Sequence, residues 1–326
     1  MEHLNQEVDH LLGASISPSS SRTYQSGLQS YTQFCVAVSL QPFPVTEDAL
    51  LLYLAAVRRR LSYKTIKVYL AGIQFHSLLR GYSLELQNYS RLFYALRGIR
   101  RVQGTKFSRP QRAPITIHHL SRLLRYFKKN FSTLDRHMLS AAVLLAFFGL
   151  LRASEYTCVT KDRFDMEYGL QFKDVQFDKD LNFFQIRLAK SKTDPFRVGC
   201  WVKIWATGGK RCPVEFMKTF LQIHPRKTGP LFTFSDGTYL TRAYLSNLIQ
   251  TVFPGVNLNT HSFRIGGASA AAAAGVPDST IQVMGRWASN AYRVYLRMPD
   301  RTLRHANQLM SQKRDSIPRW SPNAMH

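Results

Sequence analysis

The sequence predicts a mainly α-helical chain with a small antiparallel β-sheet, split into a helical N-terminal domain and a larger α+β domain. Apolar residues recur at three- and four-residue spacing through most of the first hundred positions, the mark of amphipathic helices. Residues 137–152 (HMLSAAVLLAFFGLLR) form an apolar run of helix length, too short to span a bilayer and suited to a core helix. Between 170 and 204 the period shifts to alternation rich in β-branched and aromatic residues, as in strands. A length of 326 residues and a hydrophobic fraction of 45% accommodate two packed domains.

Taken in order, residues 1–17 offer a short amphipathic helix (Val8, Leu11, Leu12) or a tail. Ser17-Pro18-Ser19-Ser20-Ser21 carries small polar side chains that cap free amides. A helix then runs through Tyr24, Leu28, Tyr31, Phe34 and Cys35. Gln41-Pro42-Phe43-Pro44 ends it, and Thr46-Glu47-Asp48 opens the next, with Leu50, Leu51, Leu54 and Val57 inward. Leu61–Leu79 and Asn88–Arg100 read as two more. Lys64 and Lys67 interleave with Tyr63, Tyr69 and His76, a pattern suited to phosphate contacts with packing against sugars, or to a solvated face over core aromatics.

Charge narrows the function. The chain holds 44 Lys and Arg against 20 Asp and Glu, a net charge of +24 and a pI near 10.2. Such an excess points to a polyanionic partner. With no membrane-length apolar run and no signal-peptide pattern at the N-terminus, nucleic acid is favoured over a lipid surface. Residues 86–134 contain eleven Lys and Arg and no carboxylate. Within them, 103–114 (QGTKFSRPQRAP) reads as a basic linker between a helical domain at 1–102 and the larger domain at 115–300. Arg100 and Arg101 just before it and Lys106, Arg109 and Arg112 within it are candidate DNA contacts, and such a linker lets two domains close on a duplex like a clamp. Cys35, Cys158, Cys200 and Cys212 lack C-x-x-C spacing, which argues against a zinc site or disulfide framework and for reduced thiols.

In the larger domain, Thr116 caps a helix (IHHLSRLLRYFKK) whose adjacent His118 and His119 face different ways and do not make a metal site. The apolar helix ends at Arg152, with Glu155 three residues on. This is either a surface pair or a functional arginine oriented by a carboxylate. Strands are expected at Leu170–Val175, Asn182–Leu188 and Phe196–Ile204, with Lys190 and Lys192 in the last turn. Helices follow at Val214–Ile223 and Thr241–Phe253, the second offering Arg242, Tyr244 and Asn247.

The chemistry concentrates at His261–Arg297 (HSFRIGGASAAAAAGVPDSTIQVMGRWASNAYRVYLR). Arg264 can offer a planar fork to two phosphate oxygens. His261 can move a proton near neutral pH, and a tyrosine can attack phosphorus. This stretch resembles the catalytic segment of the tyrosine recombinases (phage-integrase family), where H-x-x-R precedes a Gly-His or Gly-Trp element and then the nucleophile. Gly285-Arg286-Trp287 and Tyr295-Leu296-Arg297 look most like the recombinases of the eukaryotic DIRS, Ngaro and Crypton elements.

The resemblance implies a helical, SAM-like core-binding domain followed by a catalytic domain, together a C-shaped clamp on double-stranded DNA. It implies Arg152, Lys192, His261, Arg264, Trp287 and Tyr295 as catalytic residues, with Glu155 in support. It further implies a 3′-phosphotyrosyl intermediate without metal or nucleotide cofactor, a homotetramer on two DNA sites, and a helix or tail at 301–326 that docks on a neighbouring protomer. The function implied is site-specific recombination for a mobile element, with the nucleus as the compartment. A DNA-binding protein that has lost catalysis and a type IB topoisomerase are the competing readings. GLLRASE carries one more Leu than the family's G-L-R-x-S-E, and Trp287 stands eight residues before Tyr295 rather than nine, so Arg286 competes for its position. Tyr292, one helical turn earlier, competes with Tyr295.

Overall fold

The computed structural model describes residues 2–104, 106–107, 110–167, 169–189, 199–290 and 293. Lys190, Lys192, Arg109, Tyr292, Tyr295 and the 301–326 tail lie outside them. The chain forms two compact units, Met1–Arg109 and Pro110–His326. No helix of the described residues is long and apolar enough to cross a membrane.

The first unit is helical: α1 (Glu2–Ala14), α2 (Pro18–Ala37), α3 (Glu47–Val57), α4 (Tyr63–Leu78) and α5 (Ser90–Gln103). Side chains of Ser17, Thr46 and Ser62 accept the backbone N–H groups of Ser20, Ala49 and Thr65, so each cap satisfies an amide the helix leaves open. Tyr31, Leu50, Tyr53, Leu54, Ile66 and Ile73 form the buried centre. The N-terminal segment is a helix, with Leu4, Val8 and Leu11 exposed.

Helix α5 runs past the expected Arg100 to Gln103, the first residue of the expected linker. The Gln103 amide N–H groups donate to the carbonyls of Arg58 (2.9 Å) and Leu61 (2.8 Å), and its oxygen accepts from the Tyr63 N–H (2.8 Å). One buried amide thus satisfies three backbone groups between α3 and α4, a role its polarity alone disguises.

The second unit is built on α7 (Thr133–Phe148), whose residues Met138 to Phe147 are all buried. Helices α6 (Ile117–Asn130), α9 (Pro213–Ile223) and α11 (His261–Ala273) pack against it. The remaining helices are α8 (Ala153–Tyr156), α10 (Arg242–Val252) and α12 (Asp278–Gly285). A sheet of order β1-β2-β3 comprises β1 (Val175–Phe177), β2 (Phe183–Leu188) and β3 (Cys200–Trp205), antiparallel throughout. Its inward face, Phe184, Ile186, Leu188, Val202 and Ile204, joins the core.

The first strand is not where alternation put it. Residues 170–172 pair with 229–231 instead, through Phe172 N–H to Gly229 and Leu231 N–H to Leu170. Asp174 accepts the Gln171 N–H (2.8 Å) and caps a 3-10 turn at Phe172–Asp174, so β1 begins only at Val175. The local cap outweighs the alternating pattern. His119 is likewise structural: its ring Nδ1 closes a capping box with the Thr116 N–H (3.0 Å), and the ring packs edge-on against Phe253.

Candidate active site

The site assembles where α7 ends. Leu150 takes a left-handed backbone (φ 47°), uncommon for a branched residue, and Arg152 then becomes the N-cap of α8. Leu150, one of the two leucines between Gly149 and Arg152, is therefore the residue that turns the chain. Gly266 and Gly267 bring α11 onto this corner. A Cβ on Gly266 would stand 1.8 Å from the Ile115 carbonyl oxygen, and one on Gly267 would stand 2.3 Å from that of Phe147. Only glycine permits that approach, and it drives Arg264 into the interior.

Arg264 is 1% exposed. It donates to the carbonyls of Leu150 and of Gly285, the latter at 2.6 Å, and its guanidinium lies 4.1 Å from the Trp287 ring centroid. Two of the five N–H groups thus fix the plane of the fork while the indole covers its face.

Glu155 ties the corner together. Its side chain, 3% exposed, accepts from the Arg152 guanidinium (2.9 Å) and from Arg286 (2.9 Å). It also accepts the Arg152 backbone N–H at 2.8 Å. Arg286, left-handed at φ 57°, donates as well to the Gly149 carbonyl (3.1 Å). Arg286 is thereby a brace across α7, α8 and α12, while Trp287 covers Arg264. Removing a buried carboxylate strands two cations. Glu155→Ala is expected to lower stability by about 3–5 kcal/mol in urea unfolding, and an unchanged midpoint would show the brace to be dispensable.

His261 sits in a cationic field. The Asn259 side-chain oxygen accepts its backbone N–H (2.9 Å) at the start of α11. Burial, then Arg112, Arg264, Arg242 and Arg152, push the imidazole down to about 4. Each arginine arrives by a separate route. The 110–115 strap lies along 257–262 through Ala113 N–H to Asn257 and Ile115 N–H to Ser262, which carries Arg112 in; Cys158 and Leu240 lace α8 to the start of α10, which carries Arg242 in.

The imidazole is therefore neutral at neutral pH and can accept a proton. As pH falls, the unfolded chain protonates this histidine near 6.5 while the folded chain resists until about 4. Its contribution to stability is complete above about pH 6.5 and is lost as pH drops toward 4. Histidine NMR should place the His261 midpoint near 4, and His261→Gln should flatten the stability profile in that window.

The described part of the site thus gathers Arg152, Glu155, His261, Arg264 and Trp287, with Lys192 and Tyr295 outside the described residues. No protein-family model matches the sequence, and no curated protein matches it. Solved structures do. The XerH site-specific recombinase bound to palindromic difH substrate, in a post-cleavage complex, superposes with a TM-score of 0.60 at 19% identity, over 89% of this chain and 80% of that one. The Tn1549 transposon integrase with transposon right end DNA gives 0.59 at 13%, over 94% and 98%. A lambda integrase dimer bound to a COC′ core site gives 0.52 at 12%, over 97% and 79%. The chain has the tyrosine-recombinase fold.

The other predicted contacts scatter over both units. Lys64 and Lys67 lie exposed on α4, Arg100 and Arg101 on the last turn of α5, and Lys106 just beyond it; Arg242 and Tyr244 are exposed on the first turn of α10. Two further basic features stand apart from those candidates. On α5, Arg97 lies 5.7 Å from the ring of exposed Phe93 and 6.0 Å from that of exposed Tyr94. Flanking α6, cavities of about 590 and 520 Å³ are lined by Lys128 and Arg136 on one side, Arg122 and Lys129 on the other, and share Arg125. The run of cations at three- and four-residue spacing between 122 and 129 was the legible signal.

Proposed function

We propose that this chain is a site-specific DNA recombinase of a mobile element, of the kind borne by the eukaryotic DIRS, Ngaro and Crypton groups. The observation that carries it is the convergence of Arg152, His261 and Arg264, from segments more than a hundred residues apart, around one cationic corner. A binding module has no need to bury a guanidinium fork beside a neutral imidazole.

In this mechanism Arg152 and Arg264 hold the two nonbridging oxygens of the scissile phosphate and offset the charge that grows there. Phosphate meets Arg264 at the edge of its plane, since Trp287 covers a face. The Tyr295 oxygen attacks phosphorus in line and the bond to the 5′ oxygen breaks, leaving a 3′-phosphotyrosyl ester and a free 5′-hydroxyl. His261 takes the phenol proton, and Lys192 supplies one to the departing oxygen. Reversal with a new 5′-hydroxyl rejoins the strands, so no external energy source is required. The helical unit takes the role of core-binding domain, the two units closing as a clamp, and two protomers on each of two sites make the tetramer, acting in the nucleus.

The test is covalent attachment to a nicked duplex bearing the element's terminus, resolved on a denaturing gel. Tight binding with no adduct would leave a DNA-binding protein, and relaxation of supercoiled DNA without strand exchange would leave a topoisomerase. Binding to duplex should also weaken steeply with salt, as counterion release demands. A flat salt response would sink the electrostatic part of the proposal.

A further inference from the structure

The outward face of the sheet bears Gln176 on β1, Phe183, Gln185 and Arg187 on β2, and Trp201, Lys203 and Trp205 on β3. The register sets Phe183 opposite Trp205, Gln185 opposite Lys203 and Arg187 opposite Trp201. Trp201 is 45% exposed and Trp205 58%. The Phe183 and Trp205 rings are 4.8 Å apart at 49°, and Lys203 Nζ lies 4.8 Å from the Phe183 ring centroid. Within the three strands this face carries no carboxylate; Asp178, one residue past β1, accepts from the Asn182 amide (3.2 Å).

A lone exposed aromatic needs no explanation, but two exposed tryptophans beside a half-buried Phe183 on one face do. A protein-docking patch is depleted of charge at its centre, whereas here Lys203 stands between the two tryptophans, which are about 13 Å apart along the strand. Alternating aromatics and cations suit bases joined by phosphates. Bases in a duplex are already stacked and cannot use such a surface. The geometry points to a platform for an unpaired DNA strand on the outer face of this sheet.

The 190–198 segment that carries Lys192 joins β2 to β3, so the Arg187–Trp201 end of the platform adjoins that connection and the Phe183–Trp205 pair lies at the far end of the strands. A cleaved strand is held there between breakage and rejoining. That placement rests on the recombinase reading, while the stacking surface does not.

The experiment uses the full chain and a labelled oligothymidylate of about 16 nucleotides, with a duplex of equal length in parallel. Trp201→Ala and Trp205→Ala are each expected to weaken oligothymidylate binding about five- to tenfold, with duplex binding unchanged. Trp201→Phe should retain most of the affinity, and Lys203→Gln should reduce the salt dependence. Unchanged oligothymidylate affinity in the double alanine variant would overturn the platform. Equal loss toward duplex, or loss of self-association alone in sedimentation, would also overturn it. Tighter, tryptophan-dependent binding of oligouridylate would overturn the assignment to DNA. Adduct formation on the nicked duplex is scored separately, so a failed platform leaves the recombinase reading intact, and a missing adduct leaves a tryptophan-dependent single-strand site standing.

Discussion

Tyr295→Phe should abolish covalent attachment to a nicked duplex, by at least about 10⁴-fold, while Tyr292→Phe still forms the adduct. A phenylalanine keeps the ring but has no oxygen to bond phosphorus. Binding to the intact duplex should be unaffected, because a single phenol hydroxyl adds little to an affinity dominated by phosphate contacts from Lys and Arg. Trypsin digestion of the unmutated adduct would locate the labelled nucleotide on one peptide. An adduct that survives in Tyr295→Phe and disappears in Tyr292→Phe would move the nucleophile one helical turn.

Arg264→Lys should slow cleavage by about 10²–10³-fold with little change in duplex affinity. An ammonium is a point charge on a flexible stem. It cannot hold the carbonyls of Leu150 and Gly285, lie flat against Trp287 and still present a fork to phosphate. The same substitution leaves a poorly satisfied cation in a site that is 1% exposed, so a fall in unfolding midpoint should accompany the kinetic loss. Single-turnover adduct formation separates the two effects at temperatures where the variant is folded. Cleavage near the unmutated rate would show that Arg264 serves only to pin the α7 corner.

Much of this architecture is local and therefore legible. Caps at Ser17, Thr46, Ser62, Thr116 and Thr241 lie within three residues of the amides they satisfy. The ten-residue buried core of α7 is an uninterrupted apolar run. The order of Arg152, H-x-x-R and Gly-Arg-Trp sufficed to predict the fold, and the chain superposes on recombinases at under 20% identity. Where a short-range cap competed with alternation, at Gln171–Asp174, the pattern misled and the strand moved.

Residue type and spacing by themselves determined that this chain is a basic, two-part, mainly helical protein with a histidine–arginine motif suited to a phosphate. Only the tertiary structure decided which groups meet. Glu155 joins Arg152 to an Arg286 that lies 131 positions away, which separates the brace from the Trp287 that covers Arg264. Arg112, read as part of a linker, adds to the field that keeps His261 neutral. Gln103, read as the linker's first residue, locks the connection between α3 and α4. Periodicity and capping are properties of neighbours within about one helical turn, whereas a buried ion pair or a shifted imidazole depends on distances that exist only after the chain has folded.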